Sequence, residues 1–138
     1  MKTLVDSNIL VYAFDKSDEK KHNIAKSVIE SLCNSNEGVL SVQNLSEFAR
    51  CSEKSKSNIA YSAIKHYIIQ FIKTFQIISY NEKTVIAALQ ISSDYKIHFF
   101  DALLAATMEE NSVSEIITEN EKDFSKIPWI KVINPFRK

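Results

Sequence analysis

The sequence predicts an α/β fold: one domain, residues 1–138, with a central parallel sheet of about four to five strands flanked by helices on both faces. Two observations carry that prediction. Short apolar runs alternate along the chain with longer stretches whose apolar residues recur at helical spacing, the pattern of parallel strands joined through helices. The chain is also 138 residues long with no repeat, low-complexity tract or linker, enough for one domain with a proper core.

The first strand is the apolar run at Thr3, Leu4 and Val5, which ends abruptly in Asp6, Ser7 and Asn8. Apolar residues resume at Ile9, Leu10, Tyr12, Ala13 and Phe14, as a short helix requires, with Asn8 as its N-cap. Residues 15–21 are polar and read as a loop. Ile24, Ala25, Val28, Ile29 and Leu32 then mark an amphipathic helix over 22–34, closed by the turn cluster 34–38. A second strand is expected over 39–42, and a helix over 43–51 with Leu45, Phe48 and Ala49 on one face and Glu47 beside it. Residues 52–58 read as a polar connection or helix end. The strongest helical pattern runs over 59–75, followed by a strand at 76–78. Asn81 caps a helix that reaches Tyr95, residues 94–98 break it, and a further helix opens at Phe99 and ends near Asn111. A strand over 115–118 closes in the polar run 119–123, and a last strand over 131–133 ends at Asn134 and Pro135.

Composition excludes several classes. Lysine plus arginine equals aspartate plus glutamate at 17 each, so bulk charge alone would not hold this chain on nucleic acid. Cys33 and Cys51 lie far apart without a flanking His cluster, which fits a reduced cytoplasmic protein better than a disulfide scaffold or a zinc site. Neither a signal-peptide pattern nor an apolar run of the roughly 20 residues that span a bilayer is present. Gly38 is the single glycine, which removes the phosphate-binding loops that need several. A phosphate-handling protein of this composition must use metal ions or side chains.

The acids are placed for such use. Asp6 ends the first strand, Glu47 lies early in the helix after the second, Asp101 opens a helix after an aromatic pair, and Glu119 and Asn120 follow the strand at 115–118. In an open α/β sheet all of these lead to one edge, the carboxyl ends of the strands, where ligands bind. Carboxylates crowded there repel one another unless cations neutralise them. Oxygen ligands of this kind suit Mg²⁺ or Mn²⁺, and the chemistry implied is phosphodiester hydrolysis. The plainer reading is that acids at helix starts are common for dipole reasons. The metal reading requires Asp6, Glu47 and Asp101 to converge within metal-bridging distance.

Residues 5–13, Val-Asp-Ser-Asn-Ile-Leu-Val-Tyr-Ala, resemble the opening motif of PIN-domain ribonucleases. Residues 41–48 resemble the second motif, with Glu47 as its acid, residues 98–106 the third, with Asp101, residues 116–120 the fourth, and residues 132–136 the usual ending. The order is preserved over nearly the whole chain, and the resemblance is strongest to the small VapC-type toxins of toxin–antitoxin pairs. It implies a single PIN-like domain and a metal-dependent endoribonuclease. In it Asp6, Glu47 and Asp101 carry Mg²⁺ or Mn²⁺, Ser7 supports the site through its hydroxyl, and RNA is the substrate. It also implies a homodimer and a cognate antitoxin laid across the site. The fourth position departs from the common pattern: Asn120 stands where many members have Asp, with Glu119 or Asp123 as the alternatives that could restore the charge. That departure supports a second reading, a PIN fold of weakened activity that binds RNA or protein. A phosphatase with an aspartyl nucleophile ranks last, because the residue two after Asp6 is Asn8.

Other residues have plainer readings. Phe99 and Phe100 are read as core and cleft wall, His98 as a surface or capping residue, Lys20, Lys21 and 54–56 as solvated surface. Arg50, one turn after Glu47, is read as its ion-pair partner, with phosphate contact second. The apolar helix around Ile64, Ile68, Ile69 and Ile72 has a second surface to bury, which suits a homodimer or an antitoxin groove.

Overall fold

The structure, a computed structural model, describes residues 1–54 and 59–137. In chain order it contains β1 (Thr3–Val5), α1 (Ser7–Tyr12), α2 (Glu19–Ser35), β2 (Gly38–Ser41), α3 (Val42–Glu53) and α4 (Tyr61–Thr74). After these come β3 (Gln76–Ile78), α5 (Glu82–Tyr95), α6 (Phe99–Glu110), β4 (Glu115–Ile117), α7 (Glu121–Phe124) and β5 (Lys131–Ile133). The strands form one sheet in the order β3-β2-β1-β4-β5, parallel throughout, with Leu4 opposite both Val39 and Ile116. The chain leaves β1 outward through β2 and β3, then returns to add β4 and β5 on the other side. That reversal splays the connections apart beside β1, the place where open parallel sheets bind ligands.

Strand alternation sorts the core onto two faces. Leu4, Val39 and Ile116 point to one side and pack with Ala88 of α5, with α6, and with Phe124, Ile127 and Ile130. α6 is apolar all round, and every residue from Ala102 to Met108 is buried, as expected of a helix enclosed by the domain. Val5, Leu40 and Ile117 point the other way, toward Ile9, Leu10, Phe48, Phe71 and Phe75. Here rings dominate. Phe14 stacks on Tyr67 at 4.1 Å, and Phe48 meets Phe71 edge-on at 5.2 Å. Gly38 opens β2 beneath this cluster, where a Cβ would meet the Phe75 ring at 2.4 Å, so only glycine fits.

Differences from the sequence expectations fall at element ends. α2 starts at Glu19, three residues early, because Asp18 caps it by accepting from the Lys21 N–H. β2 gives way to α3 directly at Val42, since Ser41 and Asn44 form a reciprocal capping box. α4 begins at Tyr61, not at Ile59. Of the expected polar connection over 52–58, residues 52–53 belong to α3, Lys54 is exposed, and 55–58, including Lys56, lie outside the described residues. The polar run 119–123 contains the start of α7, a one-turn helix too short to show periodicity. Among the described residues no helix is long and apolar enough to cross a membrane, and both cysteines are free.

Candidate active site

Asp6 leaves β1 in extended geometry and is itself the N-cap of α1, its carboxylate accepting from the Ser7 N–H at 2.8 Å. Asn8, expected in that role, sits within the first turn. Its amide makes long contacts to Asp6 and Thr118, and its carbonyl accepts from the Glu119 N–H. The second Asp6 oxygen accepts from the Thr118 hydroxyl at 2.8 Å, and Asn44, fixed by the capping box of α3, reaches the first at 3.4 Å. Asp6 is only 7% exposed. Burial pushes its carboxyl pKa up, against the hydrogen bonds from Thr118 and Ser7.

Glu47 projects from α3 toward the same place, and the Ser7 hydroxyl approaches its carboxylate at 3.4 Å. Its pKa is raised by burial first and by the charge of Asp6 second, while Ser7, Gln43 and the Arg50 charge oppose the shift. The expected Glu47–Arg50 ion pair does not form: among the described residues no salt bridge includes either side chain. Arg50 is exposed and touches Glu47 only through its field.

Asp101 lies in the first turn of α6. The Asn120 amide donates to it at 3.0 Å, and the Asn120 N–H in turn donates to the Thr118 hydroxyl. The Asp101 pKa is raised to about 7 by burial, by a hydrogen bond with Asp123, and by the charge of Asp6. Asp123 is buried, which pushes its own carboxyl up. The hydrogen bond from Asp101 and the His98 N–H outweigh this, so its pKa is held down. The proton of the pair therefore resides on Asp101. His98 is an exposed N-cap that makes no side-chain capping bond.

Between the two alternatives for the fourth acid, the structure places Asp123 against Asp101 and Glu119 elsewhere. Glu119 accepts from the Tyr12 hydroxyl at 2.8 Å and pairs with Lys21. Lys21, expected in solvent, lies 5.0 Å from the Tyr12 ring centroid and 5.4 Å from that of Phe136, within cation–π range. Phe99 packs against the core. Phe100 does not, and is 63% exposed.

Asp6, Glu47, Asp101 and Asp123 thus form a row along the carboxyl edge of the sheet, linked through Ser7, Thr118 and Asn120. None has a salt-bridge partner among the described residues. As the side chains stand, no three His, Cys, Asp or Glu groups among the described residues are gathered closely enough to hold an ion. The full convergence expected of Asp6, Glu47 and Asp101 is therefore not seen; the acids are coupled pairwise by charge. The donor chemistry still fits a hard divalent cation. The four acids offer carboxylate oxygen, burial and the charge of Asp6 disfavour the charged forms of Glu47 and Asp101, and among the described residues no salt bridge neutralises any of the four.

Sequence reasoning missed Thr118 and Asn44, which aim Asp6. A strand-end threonine carries no signal of its own. Asn44 had one, three residues after Ser41, the spacing of a capping pair.

An open parallel sheet with a row of acids along its switch point defines a class of α/β domains. The PIN domain family model matches residues 3–130, and the chain belongs to that family. No curated protein matches it. Among solved structures it is similar to a toxin–antitoxin complex from Klebsiella pneumoniae, with 23% identity, a TM-score of 0.73, and 99% of this chain and 100% of that one covered. It is similar as well to VapBC2 from Rickettsia felis bound to a promoter DNA fragment (23%, TM-score 0.70, 97% and 98% covered). A third is VapC20 of Mycobacterium tuberculosis, a sarcin–ricin loop cleaving toxin (16%, TM-score 0.71, 94% and 97% covered). At these identities the likeness establishes the shared fold.

Proposed function

We propose that this chain is a divalent-metal-dependent endoribonuclease, the toxin of a toxin–antitoxin pair, acting in the cytoplasm on RNA phosphodiester bonds. The observation that carries the reading is the acid row without a salt bridge among the described residues: Asp6, Glu47 and Asp101 come from three distant segments to the sheet's carboxyl edge, where the charge of Asp6 raises the pKa values of the other two. PIN domains are generally metal-dependent nucleases, which supports the same reading at family level. Asp6, Glu47 and Asp101 would hold Mg²⁺ or Mn²⁺, which when bound supplies Lewis acidity toward the phosphate and lowers the pKa of a water.

The chain's own residues do the rest. Thr118, Ser7 and Asn44 hold Asp6 by hydrogen bonds to both of its oxygens, so its orientation precedes any ligand. Ser7 steers Glu47 from the same turn. Asn120 fixes Asp101 by donating an amide proton, and Asp123 keeps the fourth negative charge that Asn120 does not supply. The proton on Asp101 has to leave before that carboxylate can serve as a ligand, so occupancy of the site rises with pH through about 7. Glu119 is engaged by Lys21 and Tyr12 and would serve as cleft wall.

The toxin–antitoxin assemblies among the structural neighbours support an antitoxin partner, and the sarcin–ricin loop cleaving toxin among them supports a nucleolytic role. The exposed face of α4, with Tyr61, Ile69 and Ile72, suits a homodimer. The test is cleavage of a structured RNA pool by the purified protein with Mn²⁺, with EDTA, and with Asp6→Asn. Cleavage is expected only with metal, and Asp6→Asn should lower it by about 10²-fold or more, the scale of losing one electrostatic group from an active site. The absence of a preassembled three-acid cluster and the presence of Asn120 favour a second reading, a PIN-fold binding module. No cleavage in any lane by folded protein, with RNA or protein binding retained, would establish it.

A further inference from the structure

Next to the acid row the surface dips into a groove of about 400 Å³ whose walls include Val42, Gln43, Glu47, Arg50, Tyr80 and Phe100. Its features have no structural explanation. Phe100 is 63% exposed and Tyr80 41%. The Phe100 ring touches Phe99 edge-on at 5.4 Å and otherwise faces out. Arg50 is exposed and, among the described residues, has no carboxylate within salt-bridge distance. Gln43 is only 8% exposed. Its Nε2 donates to the Phe100 carbonyl at 2.8 Å, which fixes which end of the amide is the oxygen. That oxygen is then buried without a partner among the described residues, a rare state for a buried acceptor. The same hydrogen bond ties the first turn of α6 to α3, so the aromatic wall and the Arg50 wall are joined. Glu47 belongs to both the groove and the acid row.

Two exposed rings on one groove, with a guanidinium and a buried acceptor that have no salt bridge or hydrogen-bond partner, respectively, among the described residues, are the elements that take up an unpaired base and its phosphate. Proximity to the acids selects the ligand further, since an acidic peptide would meet repulsion from the row while a phosphodiester has to enter it. We infer that the groove is the subsite for the nucleobase flanking the bond that is cut. The base lies against Phe100 across from Tyr80, and Arg50 takes the adjacent phosphate. Gln43 supplies at the floor a carbonyl that lacks a donor. This rests on the endoribonuclease reading and narrows it: the substrate is single-stranded at that position, because a duplex would keep the base out of reach.

The test uses the full chain and single-stranded RNA oligonucleotides carrying 2-aminopurine, whose fluorescence is quenched on stacking, together with steady-state cleavage in Mn²⁺. Phe100→Ala should abolish the quenching and raise KM roughly 5- to 150-fold, the range for loss of one stacked base. Phe100→Trp should restore both. Arg50→Ala should reduce the slope of log affinity against log salt by about 0.7, one phosphate contact on a single strand. Both side chains are exposed, so melting temperatures should hold, and Phe100→Leu serves if Phe100→Ala does not fold. Unchanged KM, quenching and salt slope in an enzyme that still cleaves RNA in an Asp6-dependent way would overturn the subsite and leave the nuclease reading standing. A wild type that neither binds nor cleaves RNA would overturn both. Normal RNA behaviour with loss of a co-expressed antitoxin would overturn the subsite by assigning the groove to protein.

Discussion

The two faces of the sheet solve the same packing problem with different materials. On the α5–α6 side the core is aliphatic and fine-grained, with Ala102, Ala105 and Ala106 letting α6 settle close against Leu4 and Ile116. On the α1–α4 side it is built from rings, with Phe14, Phe48, Tyr67, Phe71 and Phe75 in mutual contact. The acid row lies where the two meet. Asp101 comes from the aliphatic side, Glu47 and Ser7 from the aromatic side, and Asp6 from the central strand between them. A site drawn from two separately packed cores is positioned by rigid elements, while its acids are held together only across the seam.

That contrast can be tested from either side. The largest loss is expected from Phe48→Ala, which empties the middle of the ring cluster. It should cost about 3–5 kcal/mol, against about 2–5 for Leu104→Ala in the aliphatic core, measured by urea unfolding. Phe48→Ala should also weaken the Mn²⁺-induced rise in melting temperature, since Phe48 docks the helix α3 that carries Glu47. If Leu104→Ala were the more damaging of the two, the ring cluster would not be the more costly face to empty.

An intermediate effect is expected at the seam. Asp101 ionises at 3.8 in its ordinary state and at about 7 in the fold, so the native state favours the proton. Its contribution to stability is fully present below about pH 4 and is lost as pH rises through about 7. Metal-free protein should therefore melt lower at pH 8 than at pH 5. Asp101→Asn should raise the melting temperature at pH 8 by roughly 3–6 °C and leave it nearly unchanged at pH 4, as thermal denaturation in EDTA would show. A variant that behaves alike at both values would uncouple the acids.

The smallest effect lies away from the seam. Asn81→Ala removes the side chain that caps α5 through the Lys83 and Thr84 N–H groups and should cost about 1 kcal/mol without altering RNA cleavage.

The fold was legible because its signals are local. Leu4 and Val5 are both apolar as a doubly covered strand requires, and the long apolar stretch after Phe99 can only be a buried helix. The placement of the candidate site was legible in part, since Asp6 ends a strand, Asp101 opens a helix and Glu47 lies on the helix that follows β2, all segments that topology brings to one edge. What stayed hidden depends on a turn's geometry. Glu119 and Asp123 are equivalent acids on paper. The single turn of α7 carries Asp123 back to Asp101, and the bend before it leaves Glu119 to Lys21. Adjacent Phe99 and Phe100 also look alike, and the register of the first turn of α6 decides which is buried. Arg50 stands one turn from Glu47 at a spacing that permits an ion pair, but no local rule says whether the pair forms.

The sheet order also sets a timetable. β1 is the first strand of the chain and the central one in space, and the bond from Thr118 to Asp6 spans 112 residues. Contacts so distant in sequence are slow to form, and during synthesis a chain emerges from its amino-terminal side. β1 must wait, half-paired, for β4 to appear. Asp6 lacks the donor to its second oxygen, and Asp101 its anchor, until Thr118 and Asn120 have been made. On the endoribonuclease reading proposed above, a chain stopped short of Thr118 would lack the hydrogen bonds that complete the acid row.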